Sequence, residues 1–395
     1  MSILLPELIT EILLRLPVKS LIRFQCVSKP WQAQINDRAF ISIHLDFSIV
    51  GNIERHLIFM ERGLEMPRNF SGVRFNDDDR FEEALVNIHQ PLLDAGHYTY
   101  IVNYCNGLVC FYNYEGEIVI WNPLIRRYKK LPFEPVGFTD YDLSGSPNLA
   151  FGHDPVNEDY KVMRVEEFYR KIDAKSAIEV KVYSLRAHSW KRVEEEWPKE
   201  YSTADPCSMS LNGAFHWLVY PFSGSLHPQT LLAFDLATEK FKTYTIPVQS
   251  ADDWVLGLEV LKGCICVCVN VNLTLNDVWV MKEYEVVSSW TRLYTIVQGE
   301  VPWNFEYCKP VVYSKDGKKV LIEQDLEHLF WYDIEEKRGT RVEFGGMPNF
   351  FETAICVGSL VLLDDGDIVN DNPADGLNLL IEAMEEQVIN EEQAV

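Results

Sequence analysis

Nine cysteines, nine histidines and 59 carboxylates are the side chains of this 395-residue chain that could carry chemistry, and their spacing decides whether they do. Cys264, Cys266 and Cys268 alternate, so on a strand all three point to one face. A zinc site needs ligands that converge, commonly as two separated pairs, and no second pair follows here. The three read instead as small apolar strand residues of a reducing compartment. Asp77-Asp78-Asp79 and Asp364-Asp365-Gly366-Asp367 resemble the start of a calcium loop, but neither runs on to the bidentate Glu of an EF-hand. Asp316-Gly317-Lys318-Lys319 is a hairpin turn by its residues and lacks the spacing of a phosphate loop. His44, His56, His89, His97, His153, His188, His216, His227 and His328 stand singly, as structural histidines do. HExxH and GxSxG are both missing. The expectation is no catalytic residue, no metal and no cofactor.

The charge balance points the same way. The chain carries −23, but residues 1–50 hold five basic side chains against four acidic ones, so the remainder carries −24. Twelve acidic residues and no Lys or Arg lie after Arg341. A body this acidic repels nucleic-acid phosphates and anionic lipid, and it favours a partner with a basic patch. The apolar start of the chain lacks a basic n-region and is interrupted by Glu7 and Glu11, so it does not read as a signal peptide. The run from Val255 to Val271 is too short and too charged to span a bilayer. A cytoplasmic or nuclear protein is expected.

The elements that would position anything begin with helices. Leu5, Leu8, Ile12 and Leu16 recur at helical spacing, and Leu13 widens the stripe. Pro6 suits a first helical turn and Pro17 ends the helix. A second short helix fits Val18 to Phe24. Ser28 caps a third, with Pro30 in its first turn and Trp31 and Ile35 four apart. Three helices in so few residues cannot bury their apolar side chains alone. Spacing leaves two readings, a cap on the following domain or a docking module.

The run LLPELITEILLRLPVKSLIRFQCVSKPW, Leu4 to Trp31, resembles the F-box, in the version common in plant F-box proteins. Among its departures, the Leu5-Pro6 pair arrives one residue late, and Pro30 stands where Ser is usual. In that family the three helices bind a Skp-type adaptor, which links them to a cullin and so to ubiquitin transfer. Carried over, the resemblance places Leu5, Pro6, Leu8, Ile12, Leu13, Leu16, Pro17, Val18, Leu21, Val27, Ser28 and Trp31 at adaptor contacts.

From about residue 52 short alternating strands replace helical periodicity. Aromatic markers recur at Phe59, Trp121, Tyr183, Phe234, Tyr284 and Trp331, spaced by 62, 62, 51, 50 and 47 residues. Repeats near this length, each worth four strands, predict a β-propeller of about six blades. A strand over Ala354–Leu363 is expected to pair with the first blade and close the ring. A two-sheet sandwich is the competing architecture.

CNGLVCF (105–111), WNPLIRRYKKLP (121–132), FGHDPVNEDYKVMRV (151–165), LNGAFHWL (211–218) and LLAFDLATEKF (231–241) are similar to the F-box-associated, kelch-like domain of plants. The fold expected is therefore mainly β with a small N-terminal α module: a three-helix F-box over residues 1–45, a propeller-like domain over 52–364, and an acidic tail over 365–395. In the tail Leu377, Leu380, Ile381, Met384 and Val388 share one helical face. The resemblance implies a substrate receptor of a Skp–cullin–F-box ubiquitin ligase, possessing no active site. A scaffold that docks the adaptor without presenting substrates, and a propeller enzyme with a dispersed site, are the alternatives. Similar plant proteins act in hormone signalling, defence and, in the pollen S-locus group, recognition of stylar ribonucleases; no motif here chooses among them.

Overall fold

The computed structural model describes residues 5–51, 54–62, 70–75, 80–81, 86–88, 99–113, 115–134, 142–143, 147–170, 175–202, 208–221, 230–247 and 254–363. The acidic tail, with its apolar stripe, and the Asp77 cluster lie outside these residues.

Four helices open the chain: α1 (Pro6–Leu13), α2 (Val18–Phe24), α3 (Lys29–Ile35) and α4 (Arg38–Val50). The first three stand where Pro6, Pro17 and Ser28 put them, and the Ser28 hydroxyl accepts from the Trp31 amide at 3.3 Å. The fourth corrects the three-helix expectation. Asp37 caps it, its Oδ1 accepting from Ala39 N at 3.0 Å and Phe40 N at 3.1 Å. Its buried face is Phe40, Ile41, His44, Leu45 and Ser48. The signal was present, but polar His44 and Ser48 interrupt the apolar stripe, and burial overrides that. The helix runs to Val50, past the boundary expected at 45.

Six sheets follow, as the repeat spacing predicts. The first contains β1 (Arg55–Glu61), β2 (Phe70–Arg74) and β3 (Val86–Ile88). The second is β4 (Thr99–Cys105), β5 (Leu108–Asn113), β6 (Ile118–Asn122) and β7 (Arg127–Lys130). The third has β8 (Asp142–Leu143), β9 (Asn148–Asp154), β10 (Asp159–Arg170), β11 (Lys175–Ser184) and β12 (Ser189–Arg192). The fourth is β13 (Ser208–Leu211), β14 (Ala214–Val219), β15 (Thr230–Asp235) and β16 (Lys240–Thr245). The fifth is β17 (Trp254–Leu261), β18 (Cys264–Val271), β19 (Leu275–Met281) and β20 (Trp290–Val297). The sixth is β21 (Cys308–Tyr313), β22 (Lys319–Gln324), β23 (His328–Asp333) and β24 (Arg338–Val342). A last strand, β25 (Phe351–Val357), returns to the first sheet.

That return closes the ring. β25 pairs antiparallel with β1 from Arg55↔Val357 to Glu61↔Phe351, and β25, β4, β9, β13, β17 and β21 touch in turn around the axis. The closing strand starts three residues earlier than expected and ends at Val357, before Gly358. Residues 358–363 leave the sheet instead.

Four aromatic markers, Trp121, Tyr183, Phe234 and Trp331, sit on the third strand from the axis. Phe59 is on the second, because β25 supplies the innermost strand of its blade, and Tyr284 lies in the turn after β19. The turn after the third strand is equally regular. The Oδ1 atoms of Asn122, Asp235 and Asp333 accept from the amides two and three residues on. Arg126, Glu239 and Lys337, four residues on, take φ of 54°, 55° and 52°. Between blades the core is apolar, and the alternating cysteines belong to it. Cys266 and Cys268, with Cys264 half-buried, pack beside Tyr294, Ile322 and Phe330.

Candidate adaptor-docking surface

The two rims of the propeller differ. One carries short turns, such as Asn106-Gly107 with φ of 53° and 77° and Asn212-Gly213 with 51° and 72°, the pattern of type I′ hairpins. Among the described residues, the connectors over 298–307 and 343–350, and the chain leaving β12 at residue 193, start from the other rim. The helices pack on the short-turn rim. Leu124 and Ile125, from the β6–β7 turn, and Leu360 and Val361, just past β25, join their core.

Within the helices the twelve candidate residues divide by burial. Leu13, Val18 and Leu21 have no exposed surface and pack with Leu14, Ile35, Phe40 and Ile41. They hold the module together, each contributing about 1.5–3 kcal/mol by burial, and their side chains present nothing to a partner. In this chain all three belong to the core of the module. Leu5, Leu8, Ile12 and Val27 are exposed by 62, 49, 49 and 60%, and Pro6 is exposed with them. Leu16, Pro17, Ser28 and Trp31 are half-buried at the edges. The helices are also locked by polar contacts. Gln34 Nε2 donates to Thr10 Oγ1 at 2.5 Å, joining α3 to α1, and Phe24 meets Trp31 edge-on at 5.5 Å. His44 Nε2 lies 3.0 Å from the Leu16 carbonyl and donates to it, while burial pushes the imidazole pKa down. The charged ring is disfavoured.

The inward side of this junction was not legible in the sequence. Glu54, 7% exposed, reaches back so that Oε2 accepts from the Val18 amide at 2.8 Å. Pro17 offers α2 no side-chain cap, so this carboxylate takes that place. Its only sequence signal is position, next to the first strand.

The other described histidines are committed to packing, and His89, His97 and His227 lie outside the described residues. His216 is fully buried between the Tyr284 hydroxyl at 2.9 Å and the Met209 carbonyl at 3.4 Å, and burial takes its pKa down to about 4. His153 packs on Tyr160, His188 accepts from the Lys129 ammonium at 2.7 Å, and His328 stacks on Trp303 at 4.0 Å. Burial likewise takes His56 down to about 3. Among the described residues no three His, Cys, Asp or Glu gather as metal ligands, and no helix is long and apolar enough to cross a membrane.

Comparison with known proteins accounts for both parts of the chain. The F-box domain family matches residues 1–42, and the F-box associated beta propeller domain family matches residues 57–365. F-box protein CPR1 of Arabidopsis thaliana is 30% identical over 391 residues, covering 92% of this chain and 90% of that protein. F-box protein At4g22390, also of Arabidopsis thaliana, is 30% identical over 375 residues, with 91% and 90% covered. F-box/kelch-repeat protein At3g23880 of the same plant is 29% identical over 334 residues, with 80% and 84% covered. An oligogalacturonate lyase in complex with manganese superposes on 77% of this chain and 76% of its own at a TM-score of 0.44 and 8% identity, too remote a likeness to bear on function. A four-helix module carrying the F-box and a closed six-bladed ring thus have one explanation: this chain belongs to the F-box proteins that carry an F-box-associated β-propeller domain.

Proposed function

We propose that the chain is the substrate-recognition subunit of a Skp–cullin–F-box ubiquitin ligase. The observation that carries this reading is where apolar surface is left uncovered. Half of the large apolar side chains exposed among the described residues fall between Leu5 and Val50, on a module that is a small part of the chain. Soluble proteins seldom leave such a concentration without a partner. Leu5, Pro6, Leu8, Ile12 and Val27 contact the Skp-type adaptor, with Leu16, Pro17, Ser28 and Trp31 at the margin, and the adaptor reaches a cullin. A cytoplasmic or nuclear location goes with this role.

The helices occupy the short-turn rim, so the target protein binds the opposite rim, where the long connectors emerge. Targets with a basic patch are favoured, since residues 51–341 carry −12 and the chain after them a further −12. The 193–207 connector brings Glu194, Glu195 and Glu196 to this rim, although Lys240 pairs with Glu195 at 2.5 Å and Lys199 with Glu196 at 2.8 Å. The propeller's contribution is proximity: a bound target meets activated ubiquitin at high effective concentration.

The test is proximity labelling in plant cells with proteasomes inhibited, comparing the intact chain with the Leu8→Asp/Ile12→Asp variant. Proteins labelled by both but ubiquitinated only with the intact chain are the expected targets. Equal ubiquitination with both sinks the reading. Binding of such a target should slow as salt rises, and a rate indifferent to salt removes the basic patch.

A further inference from the structure

One residue joins three parts of the chain that are far apart in sequence. Glu54 lies between the end of α4 at Val50 and the start of β1 at Arg55, with φ at 54°. A non-glycine residue persists in that region only where its surroundings hold it. Its carboxylate accepts from Val18 N at the start of α2, and its carbonyl accepts from Gly358 N at 3.0 Å, just past β25. The approach at Gly358 leaves no room: a Cβ there would stand 2.5 Å from Glu54 Oε2 and 3.2 Å from Glu54 Cβ. His56 Nε2 is 4.0 Å from the other carboxylate oxygen; burial pushes the Glu54 carboxyl pKa up, against the Val18 hydrogen bond and the charges of Arg74 of β2 and Lys19 of α2.

Leu124, Ile125, Leu360 and Val361 add apolar contacts between the helices and the propeller. The hydrophobic effect that drives those contacts is not itself directional. A charge-assisted hydrogen bond to a helix terminus is directional. We infer that Glu54 is a strut that helps fix the angle between the docking module and the propeller. Given the proposed function, Glu54 is then a positioning residue for ubiquitin transfer, fixing where a bound target stands relative to the adaptor.

The full chain, carrying Cys207→Ser, is spin-labelled at exposed Cys26 and at Glu335→Cys on the exposed β23–β24 turn, and the distance between labels is measured. The parent and Glu54→Gln, whose amide oxygen still accepts from Val18, should give one narrow distance. Glu54→Ala should lose it. Gly358→Ala, whose Cβ displaces the carboxylate while Glu54 itself is unchanged, should lose it too, and carries the test should Glu54→Ala fail to fold. A narrow, unchanged distance in either folded variant overturns the strut. In the reconstituted ligase, the lysines of the chain that receive ubiquitin should spread to new positions in Glu54→Ala and not in Glu54→Gln, which a change in stability alone would not produce. Failure of the parent to co-purify with a Skp-type adaptor counts against the proposed function, while the distance measurement, made on the chain alone, still decides the strut.

Discussion

The carboxamide of Asn122 donates to the Ser359 carbonyl at 3.0 Å and to the Val361 carbonyl at 3.2 Å, joining blade 2 to the segment that follows ring closure. Its Oδ1 accepts from Leu124 N at 3.2 Å and Ile125 N at 3.4 Å, so this fully buried side chain spends both of its donors and its acceptor. The residues it orders, Leu124, Ile125, Leu360 and Val361, form the floor beneath the helices. Asn122→Ala should cost about 3 kcal/mol by leaving buried polar groups unpaired. Asn122→Asp, with no N–H to offer two carbonyls, should do no better. Denaturant unfolding measures both, and a loss within roughly 0.5 kcal/mol would show that these bonds contribute nothing.

The burial pattern of the helices separates docking from folding. Leu8→Asp with Ile12→Asp should abolish co-purification with a Skp-type adaptor and leave the melting temperature near that of the parent. Leu13→Ala, at a site with no exposed surface, should instead destabilise the module by about 2–4 kcal/mol. If the two variants lose the adaptor and stability in parallel, the division into contact and core residues is wrong.

Two glycines with nearly the same φ make an internal control. Gly107 has φ of 77°, and a Cβ there would meet Ser359 Cβ at 2.3 Å and the Val357 carbonyl at 2.6 Å. Gly116 has φ of 80° and nothing within 4 Å. Gly116→Ala should therefore cost only the conformational term, about 1 kcal/mol, while Gly107→Ala adds a clash at the ring closure and should cost about 3 kcal/mol or more. Equal midpoints in urea would mean that residues 357–359 yield without penalty.

Glu259, on innermost strand β17 and 5% exposed, gives a pH dependence. Burial pushes its carboxyl up from 4.5 to about 7, against the pull of the Lys309 ammonium. The folded chain therefore holds a proton that the unfolded chain has released. This group's contribution to stability falls as pH rises from about 4.5 to about 7 and is level above that. Glu259→Gln cannot ionise, so relative to the parent it should gain up to roughly 3 kcal/mol between pH 4.5 and pH 8. A difference between parent and variant that does not change over that range would place the Glu259 carboxyl in ordinary surroundings.

What the sequence determined by itself was local. Pro17 and Ser28 mark helix boundaries within a few residues of themselves, so α2 and α3 could be read directly. The blades were legible for a similar reason: an aromatic on the third strand, an Asn or Asp after it and a left-handed residue four further on form a turn complete within one short segment. Other decisions belonged to the tertiary structure. Helix α1 is apolar on more than one side, with Leu5, Leu8 and Ile12 along one stripe and Ile9, Leu13 and Leu14 along another. Both stripes satisfy helical spacing, and only packing against α2, α4 and Leu360 selects the second for burial and leaves the first uncovered. The register of β25 on β1 and the return of Glu54 to the start of α2 likewise join residues far apart in the chain. Such contacts depend on where the ring brings the ends together, and no short window of sequence contains both partners.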